Sequence, residues 1–170
     1  MVVKTLTAAL LVFASLHLTG CGSDETSTPP SVSTDNAPLF LEDTSPKNLT
    51  ATSAAFQEAA IASGWSILGM DNVSDILAER GYSVAPVLVF QACSGKYSFK
   101  LLGSDATRFV ASMIPCRVAL YQKSTGEVII SRMNAISMGE KIGGEAGSVM
   151  KQSGQDMETI IQNTLSKLKS

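Results

Sequence analysis

Arg117-Val118-Ala119-Leu120-Tyr121-Gln122 and Glu127-Val128-Ile129-Ile130-Ser131-Arg132 stand on either side of Ser124-Thr125-Gly126. Two short runs rich in apolar and β-branched residues around a glycine-containing turn are the pattern of a β-hairpin. A tight turn joins only antiparallel neighbours, since parallel strands need a long crossover. That one feature argues against a doubly wound parallel sheet. It favours an α+β domain, with helices packed on one face of a mainly antiparallel sheet.

Upstream, Val84 to Ala92 (VAPVLVFQA) reads as a central strand, with Pro86 confined near its start. Trp65 to Met70 suits another strand, and Leu39-Phe40-Leu41 a short first one. Ala51 to Ser63 places Phe56, Ala59, Ala60 and Ser63 at helical spacing, with Gly64 at the expected stop. Ser74 is the expected cap of a short helix that Gly81 closes. Tyr97 to Leu102 and Ala106 to Met113 are expected to be helical or irregularly so, and Pro115 breaks that run. Downstream of the hairpin a short helix is expected near Ala135 to Ile142, then a long one from about Glu145 to Leu168. Met157, Ile160, Ile161, Thr164, Leu165 and Leu168 form the stripe that this last helix buries.

The segments 1–20, 21–38 and 39–170 differ in composition. Lys4 and the run Leu6 to Leu18 read as an export signal, the run being about thirteen mostly apolar residues, too short to cross roughly 30 Å of hydrocarbon. Leu18-Thr19-Gly20-Cys21 matches the lipobox of bacterial lipoproteins. Cys21 is therefore the expected first mature residue and the site of acylation, palmitate among its chains, so that the partner of this chain is a membrane. Gly22 to about Pro38 is rich in Ser, Thr, Pro, Asp and Asn and reads as a tether spanning roughly 20–25 Å. The expected location is the bacterial cell envelope, facing the periplasm. With Gly22 and Ser23 after the cysteine, an outer-membrane destination is favoured in a Gram-negative cell.

Cleavage at Cys21 removes Lys4 and the single histidine, His17, leaving 12 basic and 15 acidic residues. A net charge near −3 offers no basic stripe, so nucleic acid is not an expected partner. Without histidine, Ser-His-Asp and Cys-His catalysis are excluded, as is the commonest metal ligand. No pair of carboxylates has the spacing of a glycosidase or a metal cage, and Gly143-Gly144-x-x-Gly147 lacks the strand that a phosphate loop needs. No catalytic residue, metal or cofactor is expected.

Three groups of residues remain as candidates for chemistry. Cys93 ends one strand and Cys116 begins the next, so antiparallel pairing brings the thiols to one end of the sheet. An exported protein permits a disulfide there, and closing a loop of about 24 residues would stabilise by roughly 3 kcal/mol. Buried thiols and a reactive or sulfur-handling pair are the alternatives. Arg117 and Arg132 stand on one face if the hairpin loop has two residues, where a small anion or cofactor between them would relieve their repulsion; a three-residue loop separates them. The domain carries six methionines (Met70, Met113, Met133, Met138, Met150 and Met157), which ordinarily fill gaps in a core, the alternative being a haem or copper site.

Gly64-Trp65-Ser66-Ile67-Leu68, VFQACSGKYSFKLLG (residues 89–103) and MIPCRVALYQKSTGEVIISRMN (residues 113–134) together resemble the domain of unknown function 302 family. Met-Ile-Pro-Cys-Arg followed by Val-Ala-Leu-Tyr is the specific part, and the resemblance covers residues 50–165. It implies a TATA-box-binding-protein-like α+β fold of β-α-β topology, often paired as a homodimer, and no established activity. Where the family commonly has Cys-Asn-Pro, this chain has Cys93-Ser94-Gly95. The leading expectation is a lipid-anchored, non-catalytic binding or assembly domain. A thiol-dependent module at Cys93 and Cys116, or an anion binder at Arg117 and Arg132, are the other classes.

Overall fold

A computed structural model of the protein describes residues 37–169. The export signal, Cys21 and all but the end of the tether lie outside the described residues. Five strands, β1 (Phe40–Ser45), β2 (Ser66–Asn72), β3 (Val87–Cys93), β4 (Cys116–Gln122) and β5 (Val128–Met133), form one sheet in the order β1-β5-β4-β3-β2. Every pairing is antiparallel. Helices α1 (Leu49–Ala62), α2 (Val73–Ala78), α3 (Gly95–Leu102), α4 (Ala135–Ile142) and α5 (Gly144–Lys169) connect and back it, with a 3₁₀ helix at Arg108–Met113. The α+β class expected from the hairpin is the one observed.

The chain alternates as a half-buried sheet requires. Phe90, Ala92, Val118, Leu120 and Ile130 point from β3, β4 and β5 into one core with Phe56 and Ala60 of α1 and Met157, Ile160, Ile161 and Leu165 of α5. Phe56 and Phe90 meet edge to face, their ring centroids 5.2 Å apart. The whole expected stripe of α5 is buried, which is why a 26-residue helix is stable here: its apolar face lies against the sheet and α1. Gly139 of α4 and Gly147 of α5 let those two helices touch, since a Cβ on Gly147 would lie 2.2 Å from the Gly139 carbonyl oxygen. Among the described residues no helix is long and apolar enough to cross a membrane.

Several boundaries differ from the sequence reading. β1 runs on through polar Glu42, Asp43, Thr44 and Ser45, because pairing with β5 rather than apolar periodicity sustains it. β3 starts at Val87, after Pro86, and lies beside the middle strand β4 rather than being the middle one. The cap of α2 is Asn72, whose Oδ1 accepts from the Asp75 amide at 3.2 Å; the Ser74 hydroxyl instead accepts from the Val87 amide at 3.2 Å and fastens α2 to β3. The end of the tether is held too: Asn134, the cap of α4, donates from its side chain to the Pro38 carbonyl at 3.0 Å.

Candidate functional site

Cys93 lies at the last position of β3 and Cys116 at the first of β4. In the antiparallel register Ala92 stands opposite Cys116, so both cysteines fall at one end of the sheet, where α3 begins and the 3₁₀ segment returns. The two thiols are free and line the same cavity, of about 60 Å³, between the sheet, α3, the 3₁₀ helix and α5. A water needs about 10–15 Å³ on this measure, so the space holds a few waters or a group of that size.

The walls are mainly apolar: Trp65, Leu101, Val110, Val118, Met150 and Met157. The Trp65 and Tyr97 rings, 6.3 Å apart, close one side. Hydroxyls of Ser94, Ser98 and Ser153 supply the small polar groups. Ser98 Oγ lies 3.2 Å from Cys93 Sγ. Burial pushes the Cys116 thiol above its ordinary pKa; a hydrogen bond with Ser153 opposes that shift, and the nearby Cys93 adds to it. At neutral pH Cys116 is therefore a neutral thiol, the form that is poor as a nucleophile.

Arg132 borders the cavity but does not face Arg117. Ala119 pairs with Ser131 and Val118 with Arg132, so residue 117 points to the opposite side of the sheet from residue 132. The cause is the turn: Lys123 N donates to the Glu127 carbonyl at 2.8 Å, and Gly126 adopts φ 91°, giving a three-residue loop rather than a two-residue one. Arg117 and Arg132 therefore lie on opposite faces of the sheet, as a three-residue loop requires, and both border the cavity. Arg132 is buried at 5% exposure and fully engaged. It donates from Nη1 to Asp43 Oδ2 at 2.5 Å and from Nε to Glu158 Oε1 at 3.0 Å, and Nη2 bonds Glu158 Oε2. Burial alone would weaken its charge, but Glu158 and Asp43 outweigh that and raise its pKa. The guanidinium clamps β1 and β5 to α5 at the cavity wall.

At the rim, the Tyr97 hydroxyl donates to Asp156 Oδ2 at 2.6 Å and accepts from Lys96 Nζ at 3.1 Å. Burial, then the bond to Asp156, raises the Tyr97 pKa, so the phenol stays protonated at physiological pH. Asp43, Tyr97, Ser153, Asp156 and Glu158 were not distinguishable in the sequence. Their partners are 59 residues away for Tyr97 and Asp156, and 89 for Arg132 and Asp43, and no local spacing records such pairs.

This arrangement can hold a small molecule or ion against thiols, thioethers and hydroxyls. It offers no free base, since Glu158 is committed to Arg132. Among the described residues no group of three His, Cys, Asp or Glu is placed to hold a metal ion.

The family profile described as "Domain of unknown function DUF302" matches residues 41–168. The crystal structure of an uncharacterized conserved DUF302 protein from Bacillus stearothermophilus has a similar fold, with a TM-score of 0.68 and 15% sequence identity, covering 75% of this chain and 99% of that one. No curated protein matches the chain.

Proposed function

Because this chain belongs to the DUF302 family, whose definition carries no activity, we propose a function from the site alone: a lipid-anchored, non-catalytic binding domain of the cell envelope, which takes a small ligand into the cavity beneath Cys93 and Cys116. The observation that carries it is the cavity itself. A close-packed core rarely keeps space larger than a water molecule. Here about 60 Å³ stays open at one end of the sheet, lined by two free thiols and three serines. A preformed, largely apolar hollow with a few convergent polar groups is the usual form of a small-molecule site. The lipobox at Cys21 supports the anchoring part of the reading, and the polar tract after it supplies the tether.

Thiol chemistry is the second reading, favoured by the shared cavity of Cys93 and Cys116. The neutral state of Cys116 counts against a resting nucleophile there.

Native mass spectrometry on protein isolated from its own host tests the proposal. An acylated chain that begins at Cys21 and carries a non-covalent ligand supports it. Ser153→Phe, which fills the hollow, is expected to abolish that ligand while the chain stays folded by circular dichroism. An unmodified N-terminus refutes the anchor, and a ligand retained unchanged by Ser153→Phe refutes the site.

A further inference from the structure

The described residues contain eight sulfur-bearing side chains, two cysteines and six methionines. Six of them, Cys93, Cys116, Met113, Met133, Met150 and Met157, line the one cavity just described. They come from β3, the 3₁₀ helix, β4, β5 and α5, so no run of sequence brings them together; the fold does. Met150 and Met157 are seven residues apart, two turns of α5, and are 6% and 5% exposed. Of the other two methionines, Met70 lies on edge strand β2 and is 46% exposed, while Met138 packs against the core.

We propose that this cavity is a soft-metal site that binds one Cu(I) ion through Cys93 and Cys116 with thioether donors from Met150 and Met157. The inference rests on the reading of the cavity as the ligand site and names its occupant. Thiolate and thioether ligands select Cu(I) over harder ions. The side-chain oxygen donors in the cavity are few and weak: serine hydroxyls, a Tyr97 hydroxyl already bonded to Asp156, and a Glu158 already bound to Arg132. A cation with one positive charge needs one thiolate to become neutral inside an apolar wall. Binding therefore displaces one thiol proton to solvent: one cysteine binds as the thiolate, the other stays a neutral thiol beside the ion, and these copper–sulfur contacts replace the copper–nitrogen bonds of the chelator that delivered it, with no change of oxidation state. Methionines present only to fill a gap would have filled it, whereas the cavity they border keeps about 60 Å³ open.

The test is an anaerobic titration of the mature chain, stripped of metal, against the coloured Cu(I)–bicinchoninate complex. The expected result is one Cu(I) withdrawn per chain, about one proton released, and a copper absorption-edge spectrum dominated by sulfur neighbours. Cys93→Ser with Cys116→Ser should weaken binding by more than about 100-fold, and Met150→Leu with Met157→Leu by about 10-fold. The double serine variant keeps Cys21, so an affinity that it leaves unweakened places the copper outside the cavity and counts against the proposal. Leucine conserves volume, and an unchanged thermal transition shows that a lost affinity is not lost folding. If the chelator keeps its copper while native mass spectrometry finds an organic molecule in the cavity, the copper inference falls and the binding domain stands. If neither metal nor molecule binds, both fall.

Discussion

Replacing Arg132 by alanine is expected to be among the most damaging single changes in the domain. Its guanidinium is 5% exposed and bonds carboxylates on two other elements, Asp43 of β1 and Glu158 of α5, which are 30% and 27% exposed. Removing one partner of a buried ion pair typically costs about 3–5 kcal/mol, because the remaining charge loses its compensation. Here the orphaned carboxylates can each regain some water, which puts the expected loss near the lower end, about 3 kcal/mol. With a urea slope of about 2 kcal/mol per molar for a domain of this size, the unfolding midpoint falls by about 1.5 M. The sign of the rescue is more telling than the size of the loss. Arg132→Met combined with Asp43→Asn and Glu158→Gln removes all three charges, and should return to within about 1 kcal/mol of the parent. Urea unfolding followed by circular dichroism measures both. A single-variant loss below about 1 kcal/mol, or a triple variant no better than the single one, would refute the clamp.

Three further outcomes follow from the same geometry. Alkylation of Cys116 should be slow at neutral pH and rise with a midpoint above the ordinary thiol pKa of about 8.5; because burial favours the protonated form, its stabilising contribution is complete below that value and is lost as pH climbs through the raised one. Mass-resolved labelling across a pH series would show a midpoint at or below the ordinary value if that is wrong. Gly147→Ala should lower stability by about 2 kcal/mol even though alanine is the better helix former, since its Cβ meets the Gly139 carbonyl; a higher melting temperature would contradict the close approach of α4 and α5. Asn134→Ala removes both the cap that accepts from Ser137 and the donor to Pro38, for a loss of about 1–2 kcal/mol and earlier proteolysis around residue 38; an unchanged cleavage pattern would refute that anchoring.

The parts of the fold that were legible in the sequence are those specified locally. The β4–β5 hairpin shows through Gly126, α4 through Asn134 at its start, and α5 through an apolar stripe that recurs every three or four residues. β1 was underestimated because it is an edge strand whose Glu42, Asp43 and Thr44 carry no period-two apolar signal. Ser74 and Asn72 are both good caps, and only the position of β3 decides that Ser74 is spent on Val87. The Arg117–Arg132 relation turned on a single residue of loop length, which reverses the face of every side chain along the strand. That the cysteines share one end of the sheet was readable from strand order. The cavity around them was not, because it is assembled from side chains spread between residues 65 and 158, with no spacing rule linking them.

The most direct test of the ligand-binding account is an experimental electron-density map of the protein isolated from its own host. Non-protein density is expected in the hollow between Cys93, Cys116 and α5, with Arg132 still held by Asp43 and Glu158. A hollow closed by repacked side chains, with no space left beside the two sulfurs, would contradict it.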